Sequence, residues 1–411
     1  MSAFYDLASL VVVPSGYKSG KVYAQKPLTT DGQLAFTRAS TATRVNASGL
    51  IEAVASGVPR LDYLNSTCPK LLLEPQRTNL TQYSEQLDNA YWNKTGSTAT
   101  ANAIVSPDGT TNADLLTESA TTADHAFFDI VSYFVSGTTY TASFFAKANG
   151  RTKIELASAN SNTCPLGRFD LTAKTATAVG SSFDAKIEEY GNGWFRCSVS
   201  RVAPNTGLDL PYYALSITAG VLSYAGNGTS GMYFWGMQME AGAYATSYIP
   251  TTTAAVTRVV DAASKSSISS LIGQTEGVLF WEMEIFNPAS AAHEDVILID
   301  NGALSNLIYI TKSTTNAIIA DVYVAGVRQA FYITSVLPQG TYKCAFGYAN
   351  NNMAFFVNGT QIGITDTSCS VPTMSRIMIG TNPLGDSFSR THQVLLFKTR
   401  LTNAQLAELT A

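Results

Sequence analysis

The stretch GMYFWGMQMEAGAYATSYIPTTTAAVTRVVD, residues 231–261, decides how this chain is built. Phe234, Trp235, Met237 and Met239 give it the apolar and aromatic character of a buried strand. Gly242, Pro250 and the run 251–253 then end the strand. The stretch therefore reads as the last strand of one β-rich module and the joint to the next.

The rest of the chain agrees with a β-rich reading. It has 411 residues, enough for two or three domains, and only 14% are charged. There are 20 Tyr and 19 Phe, residue types that favour strands. Net charge is −4 and there is no Lys/Arg block, which argues against nucleic acid as a partner. No apolar run is long enough for a membrane-spanning helix. Residues 10–13 form a short apolar run preceded by Asp6 and by no Lys or Arg, so they read as a first strand rather than a signal peptide. The five cysteines are scattered without a CxxC, which suits free thiols rather than a zinc site or a disulfide framework.

Working outward from the joint gives four regions. Residues 1–85 hold short apolar pieces broken by Gly and Pro and are expected to be irregular. They look unable to bury a core alone and so suit attachment or assembly. Residues 86–250 form a succession of strand-length segments, such as the alternating TYTASFFAK at 139–147, and are expected to make an antiparallel sandwich. Residues 251–266 read as a Thr/Ala/Ser linker. Residues 267–411 hold further strands, a hairpin turn at Asn358-Gly359, and a closing helix with Thr402 and Gln405 at capping-box spacing. The expected fold class is all-β, with two antiparallel β-sandwich (jelly-roll) domains after the N-terminal region.

Three stretches carry family resemblances. FTRASTATRVNASGLIEAV (36–54), VPRLDY (58–63) and LLLEPQRTNL (71–80) resemble the N-terminal parts of tailed-bacteriophage tail and fibre proteins. Within them Arg38, Arg44, Arg60 and Arg77 alternate with Glu52, Asp62 and Glu74, a pattern that suits either an ion-pair network or scattered surface charges. YTASFFAKA (140–148), RFDLTAKTATAV (168–179), IEEYGNGWFRCSVS (187–200) and the joint resemble a carbohydrate-binding-module-like jelly roll. GTYKCAFGYANNNMAFFVNGTQIG (340–363) and VLLFKTRLTNAQLAEL (394–409) resemble a concanavalin A-like, laminin-G-like sandwich.

These resemblances imply a virion structural protein, a tail fibre or capsid-decorating head fibre. Such a protein would be assembled in the host cytoplasm and displayed on the virion surface. It would be a homo-oligomer, most simply a trimer, joined to other virion proteins through its N-terminal region and binding host-surface or environmental glycans. Tyr91, Trp92 and Trp194 are the candidate glycan-binding aromatics, because an aromatic face packs on the apolar face of a pyranose. Tyr91 and Trp92 are expected to be exposed. Trp194 has a second reading as a core residue, as has Trp235.

Two other classes remain open, a polysaccharide depolymerase and a purely architectural decoration protein. Glucanases of the concanavalin A-like fold carry paired carboxylates as Glu-x-Asp-x-x-Glu. Here Glu282 and Glu284 share a strand face, but Phe286 or Asn287 stands where the third carboxylate belongs, so no enzyme is expected. No cofactor is expected. Glu294, Asp295 and Asp300 are weak candidate calcium ligands, with a solvated loop as the alternative reading.

Overall fold

The computed structural model describes every residue except 1, 130–133, 159–160, 208–210, 288–294 and 381–387. The chain is almost entirely β, with antiparallel strand pairs throughout.

The central part of the chain forms a sandwich of two six-stranded sheets. One runs Trp92–Thr95, Ala126–Asp129, Pro211–Ser216, Lys153–Ser158, Ser161–Asp170, Thr175–Ala178. The other runs Ser97–Val105, Thr111–Glu118, Gly231–Ala241, Thr139–Asn149, Phe195–Val202, Ser182–Glu189. Gly231–Ala241 lies inside the second sheet and is buried on both faces. Met232, Phe234, Met237 and Met239 enter the sandwich core. Phe234 and Met237 are three apart, so strict alternation cannot put both on one face. A bulge at Gly236 corrects the phase. Its φ is +63°, the strand pairing with Thr139–Asn149 shifts between Ser143 and Phe145, and a Cβ there would lie 2.9 Å from the Phe145 ring. Trp235, next to Phe234, lies on the opposite face, where it packs with Phe145, Trp194, Tyr248, Val45 and Ile51.

The C-terminal module is a larger sandwich whose two sheets both take strands from residues 1–85. Its nine-stranded sheet begins with Tyr17–Lys18, Lys21–Tyr23 and Gln33–Thr37. It continues through Ala262–Lys265, Arg376–Ile379, Asp295–Asp300, Leu307–Lys312, Ile318–Val324 and Val327–Ile333. In the facing sheet Ser389–Phe397 pairs with Glu276–Ile285 on one side and on the other with Leu10–Val12 and Lys70–Leu73. Leu10, Val12, Val22, Leu34, Phe36, Leu71 and Leu73 share one core with Trp281, Ile297, Ile310 and Phe346. The N-terminal segment thus contributes short strands to these sheets, separated by irregular stretches. Its lack of a core of its own is met by the C-terminal sandwich of the same chain.

The joint is likewise not a free linker. Residues 252–257 are exposed, but Val256–Arg258 pairs with Arg77–Asn79 and Ala262–Lys265 is an interior strand of the nine-stranded sheet. The closing helix Asn403–Thr410 has its capping box and lays Leu406 and Leu409 on the outer face of the C-terminal sandwich. No helix is long and apolar enough to cross a membrane among the described residues.

A chain lacking residues 1–85 should therefore fail to form the C-terminal sandwich. Far-UV and near-UV circular dichroism of residues 86–411 should show lost β signal and no cooperative melt for that module. Retention of two cooperative transitions would refute the shared-sheet arrangement.

Candidate functional site

The densest chemistry in the molecule lies where the N-terminal strands, the joint and both sandwiches meet. Arg38 follows Gln33–Thr37, Arg60 opens Arg60–Asp62, Glu74 follows Lys70–Leu73, Arg258 closes Val256–Arg258 and Asp261 precedes Ala262–Lys265. Their side chains are all essentially inaccessible. Arg60 bridges Glu74 (Nη1–Oε2 2.5 Å) and Asp261. Arg38 reaches Asp261 at 3.0 Å and Arg258 reaches Glu74 at 2.9 Å. The Ser247 backbone and hydroxyl donate to Glu74 at 2.7 and 2.6 Å, and the Glu74 backbone N–H donates to Asp261 at 2.9 Å. Arginine N–H groups also reach carbonyls, Arg38 to Ala55 at 2.7 Å and Arg258 to Pro75 at 2.8 Å. A sixth ionisable group, Glu240, lies one hydroxyl away. Thr246 accepts from Arg258 at 3.1 Å and donates to Glu240 at 3.1 Å.

Burial alone would raise the pKa of Glu74, but the Arg258 and Arg60 charges reverse this and hold it well below the usual carboxylate range. Arg60 is raised: burial opposes its charge, and Asp261 and Glu74 outweigh that penalty. A lattice of this kind contributes little net stability against an apolar replacement, yet removing one partner costs about 3–5 kcal/mol. It fixes which segments meet, and so acts chiefly as a specifier of geometry.

A second polar cluster lines an open groove of about 540 Å³ between the two sandwiches. Lys186 donates to the Phe286 carbonyl at 3.0 Å and pairs with Glu188 at 2.8 Å. Arg390 lies 4.7 Å from the Phe286 ring centroid and 3.5 Å from Glu284. Lys70 meets Glu284 at 2.5 Å. Beneath the groove is a cavity of about 40 Å³, room for ordered water and too small for a sugar ring.

The predicted site residues fall in different places. Tyr91 and Trp92 are buried, 9% and 2% exposed, rather than displayed. Trp92 opens a strand paired with Ala126–Asp129, so its ring enters the sandwich. There it sits edge-on to Phe127 with centroids 5.4 Å apart and donates to the Tyr83 carbonyl at 3.1 Å. Trp194 takes its core reading, 2% exposed with Nε1 donating to the Val105 carbonyl at 3.1 Å. The structure does not bring these three together as a surface platform.

Glu282 and Glu284 share the strand face expected of them, opposite the face that carries Trp281 and Met283 into the core. Glu282 accepts from Gln393 at 2.5 Å. Burial raises Glu284, but the Arg390 and Lys70 charges and the hydrogen bond from Lys70 hold it well below the usual range. A carboxylate so held is a poor general acid at neutral pH.

Asp300 is engaged bidentately by Arg376, at 2.8 Å from Nε and 2.5 Å from Nη2. Asp295 is buried, and Glu294 lies outside the described residues. Among the described residues there is no group of three or more His, Cys, Asp or Glu that could hold a metal ion. Cys197, Cys344 and Cys369 are buried thiols, whereas Cys68 is exposed.

The paired arginines and acids of residues 38–74 were visible as a pattern, but Arg258 and Asp261 were not. Their signal is faint: two charged residues within an otherwise Thr/Ala/Val-rich joint.

No family model and no curated protein matches the chain. Among solved structures it is similar to the CBM40 of Ruminococcus gnavus IT-sialidase, with 12% identity and a TM-score of 0.30 over 36% of this chain and 91% of that one. It is similar to Trypanosoma rangeli sialidase in complex with sialic acid, with 11% identity and a TM-score of 0.29 over 72% and 59%. Domains LG4-5 of the mouse laminin α1 chain match at 10% identity and a TM-score of 0.24 over 68% and 89%. Likenesses this distant assign neither ligand nor activity to this chain.

Trp92→Ala should lower stability by about 3–5 kcal/mol, read by denaturant unfolding, as truncation of a buried aromatic does. For pH, Glu74 has a folded pKa below its unfolded value of about 4.3. Its contribution is therefore present above that value and lost as pH falls through and below it. Burial raises Asp62, Glu85 and Glu240, which act in the opposite sense, so the informative measurement is a difference. Glu74→Gln should lower the melting temperature at pH 7, and its gap from the parent should narrow as pH drops below about 4. A gap independent of pH would contradict the ion-pair account.

Proposed function

We propose that this chain is a tailed-phage virion structural protein, a tail or head fibre that displays two β-sandwiches to host-surface or environmental glycans. The observation that carries the reading is the buried lattice of Arg38, Arg60, Glu74, Arg258 and Asp261. It lies largely in the stretches that resemble phage fibre proteins, and it welds the N-terminal strands, the joint and both sandwiches into one body. A display protein exposed outside the cell needs such a body more than it needs a mobile active site. Sandwiches of low charge suit weak, hydroxyl-rich ligands, and several copies raise avidity without new contacts.

Self-association, most simply as a trimer, and attachment to other virion proteins through residues 1–85 belong to this reading. With most of its strands committed to the C-terminal sandwich, that region offers its loops and its first turn for attachment. Leu28 is 89% exposed and Leu7 59%.

Electron microscopy of purified virions with antibodies against this chain should label the particle surface. Sedimentation of the purified chain should give a trimer, and Leu28→Glu should reduce incorporation into particles without altering the melt. Absence of the chain from purified virions would overturn the proposal.

A further inference from the structure

Among the described residues, the aromatic side chain that is exposed rather than half-buried is Phe331, on the C-terminal module. Leu307–Lys312, Ile318–Val324 and Val327–Ile333 are the last three strands of the nine-stranded sheet, and the last is its free edge. Ile308, Ile310, Ile318, Ala320, Val322, Ala330 and Tyr332 point into the core. By alternation Tyr309, Asp321, Tyr323 and Phe331 project from the opposite face. Register places Tyr309, Asp321 and Phe331 side by side across the three strands, with Tyr323 beside Arg328 in the next row.

Asp321 is the centre of this patch. Its side chain is fully buried, and it accepts from the Tyr309 hydroxyl at 3.2 Å and pairs with Arg328 at 2.9 Å. Arg328 also donates to the Tyr323 hydroxyl at 3.1 Å, and its guanidinium lies 4.7 Å from the Phe331 ring centroid and 5.5 Å from that of Tyr323. The aromatic groups are thus held in place by one ion pair. Phe331 is nevertheless 44% exposed, and the Arg328 side chain 51%.

We propose that this face is a glycan site for uncharged pyranosides, which rests on the display reading above and gives it a location. Phe331 and Tyr323 supply ring surface for the apolar face of a sugar. The outward N–H groups of Arg328 and the hydroxyls of Tyr309 and Tyr323 meet ring hydroxyls. The one cation of the patch is matched by the one anion beneath it, so no net charge is offered to a carboxylated or sulfated sugar. The patch is shallow and small beside the 20–30 residues a side of a stable protein interface, which favours a small ligand over a protein partner.

The test uses the full chain. Lactose, cellopentaose, maltopentaose and mannopentaose are titrated by saturation-transfer NMR and calorimetry, with sialyllactose as the anionic comparison. At least one neutral sugar should bind with millimolar-range affinity. Phe331→Ala and Tyr323→Ala should each weaken it about tenfold or more with little change in melting temperature. Tyr323→Phe should retain most of the affinity, because the ring remains.

Unchanged binding by both alanine variants would overturn this site while leaving glycan display intact. Preference for sialyllactose would overturn the ligand class. Absence of binding to every sugar would overturn the site, and virion labelling would still judge the display reading on its own. Conversion of an oligomer to monomer by Phe331→Ala, with sugar binding unaffected, would reassign the face to a second copy of the chain.

Discussion

Two carboxylates, Glu74 and Asp261, determine how this molecule holds together. Each is sealed from solvent and each must be matched by positive charge, because an unpaired buried carboxylate costs several kcal/mol. Arg60 serves both, Arg38 serves Asp261 and Arg258 serves Glu74. These residues come from three strands of the N-terminal segment and two points of the joint. Any other packing of those segments would strand a charge. The lattice therefore selects one arrangement of hydrophobic surfaces that are themselves weakly directional.

The same logic governs the strand that ends the central sandwich. Gly231–Ala241 must satisfy a core on one face and a covering hairpin on the other, and its residues do not alternate in a single phase. One glycine at positive φ resolves the conflict by inserting a bulge. Trp235 then packs beneath the hairpin of Ala42–Val45 and Ile51–Val54. The body of the central module and the cover laid over it are thus joined by one strand.

Much of this architecture was legible locally. The hairpin at Asn358-Gly359 has both residues at positive φ, as that dipeptide suggests, and the capping box at Thr402 and Gln405 is present. What resisted reading was set by partners far along the chain. Residues 1–85 looked irregular because their strands are short and several of them complete sheets whose other members lie more than 200 residues away. Trp92 looked exposed because it stands among Asn, Asp and Lys, yet strand pairing with Ala126–Asp129 turns it inward. The outward Tyr309 was hidden in LIYI, where both faces of the strand are apolar and alternation gives no contrast. The charges of residues 38–74 announced a network, but its closing members sit in a joint that reads as filler.

The shared sheets carry a consequence for biosynthesis. Ser9 and Leu396 are 387 positions apart yet hydrogen-bonded, and Leu10–Val12 has Ser389–Phe397 as its strand partner. A ribosome delivers the first strands long before their partners exist, so these strands wait while the central sandwich folds behind them. Loop closure over such spans is slow, and the waiting edges are prone to wrong pairing. Synthesis of Ser389–Phe397 is thereby coupled to folding of the C-terminal module. A product that ends before Ser389–Phe397 leaves Leu10–Val12 and Lys70–Leu73 without that neighbour, so the C-terminal sandwich cannot close.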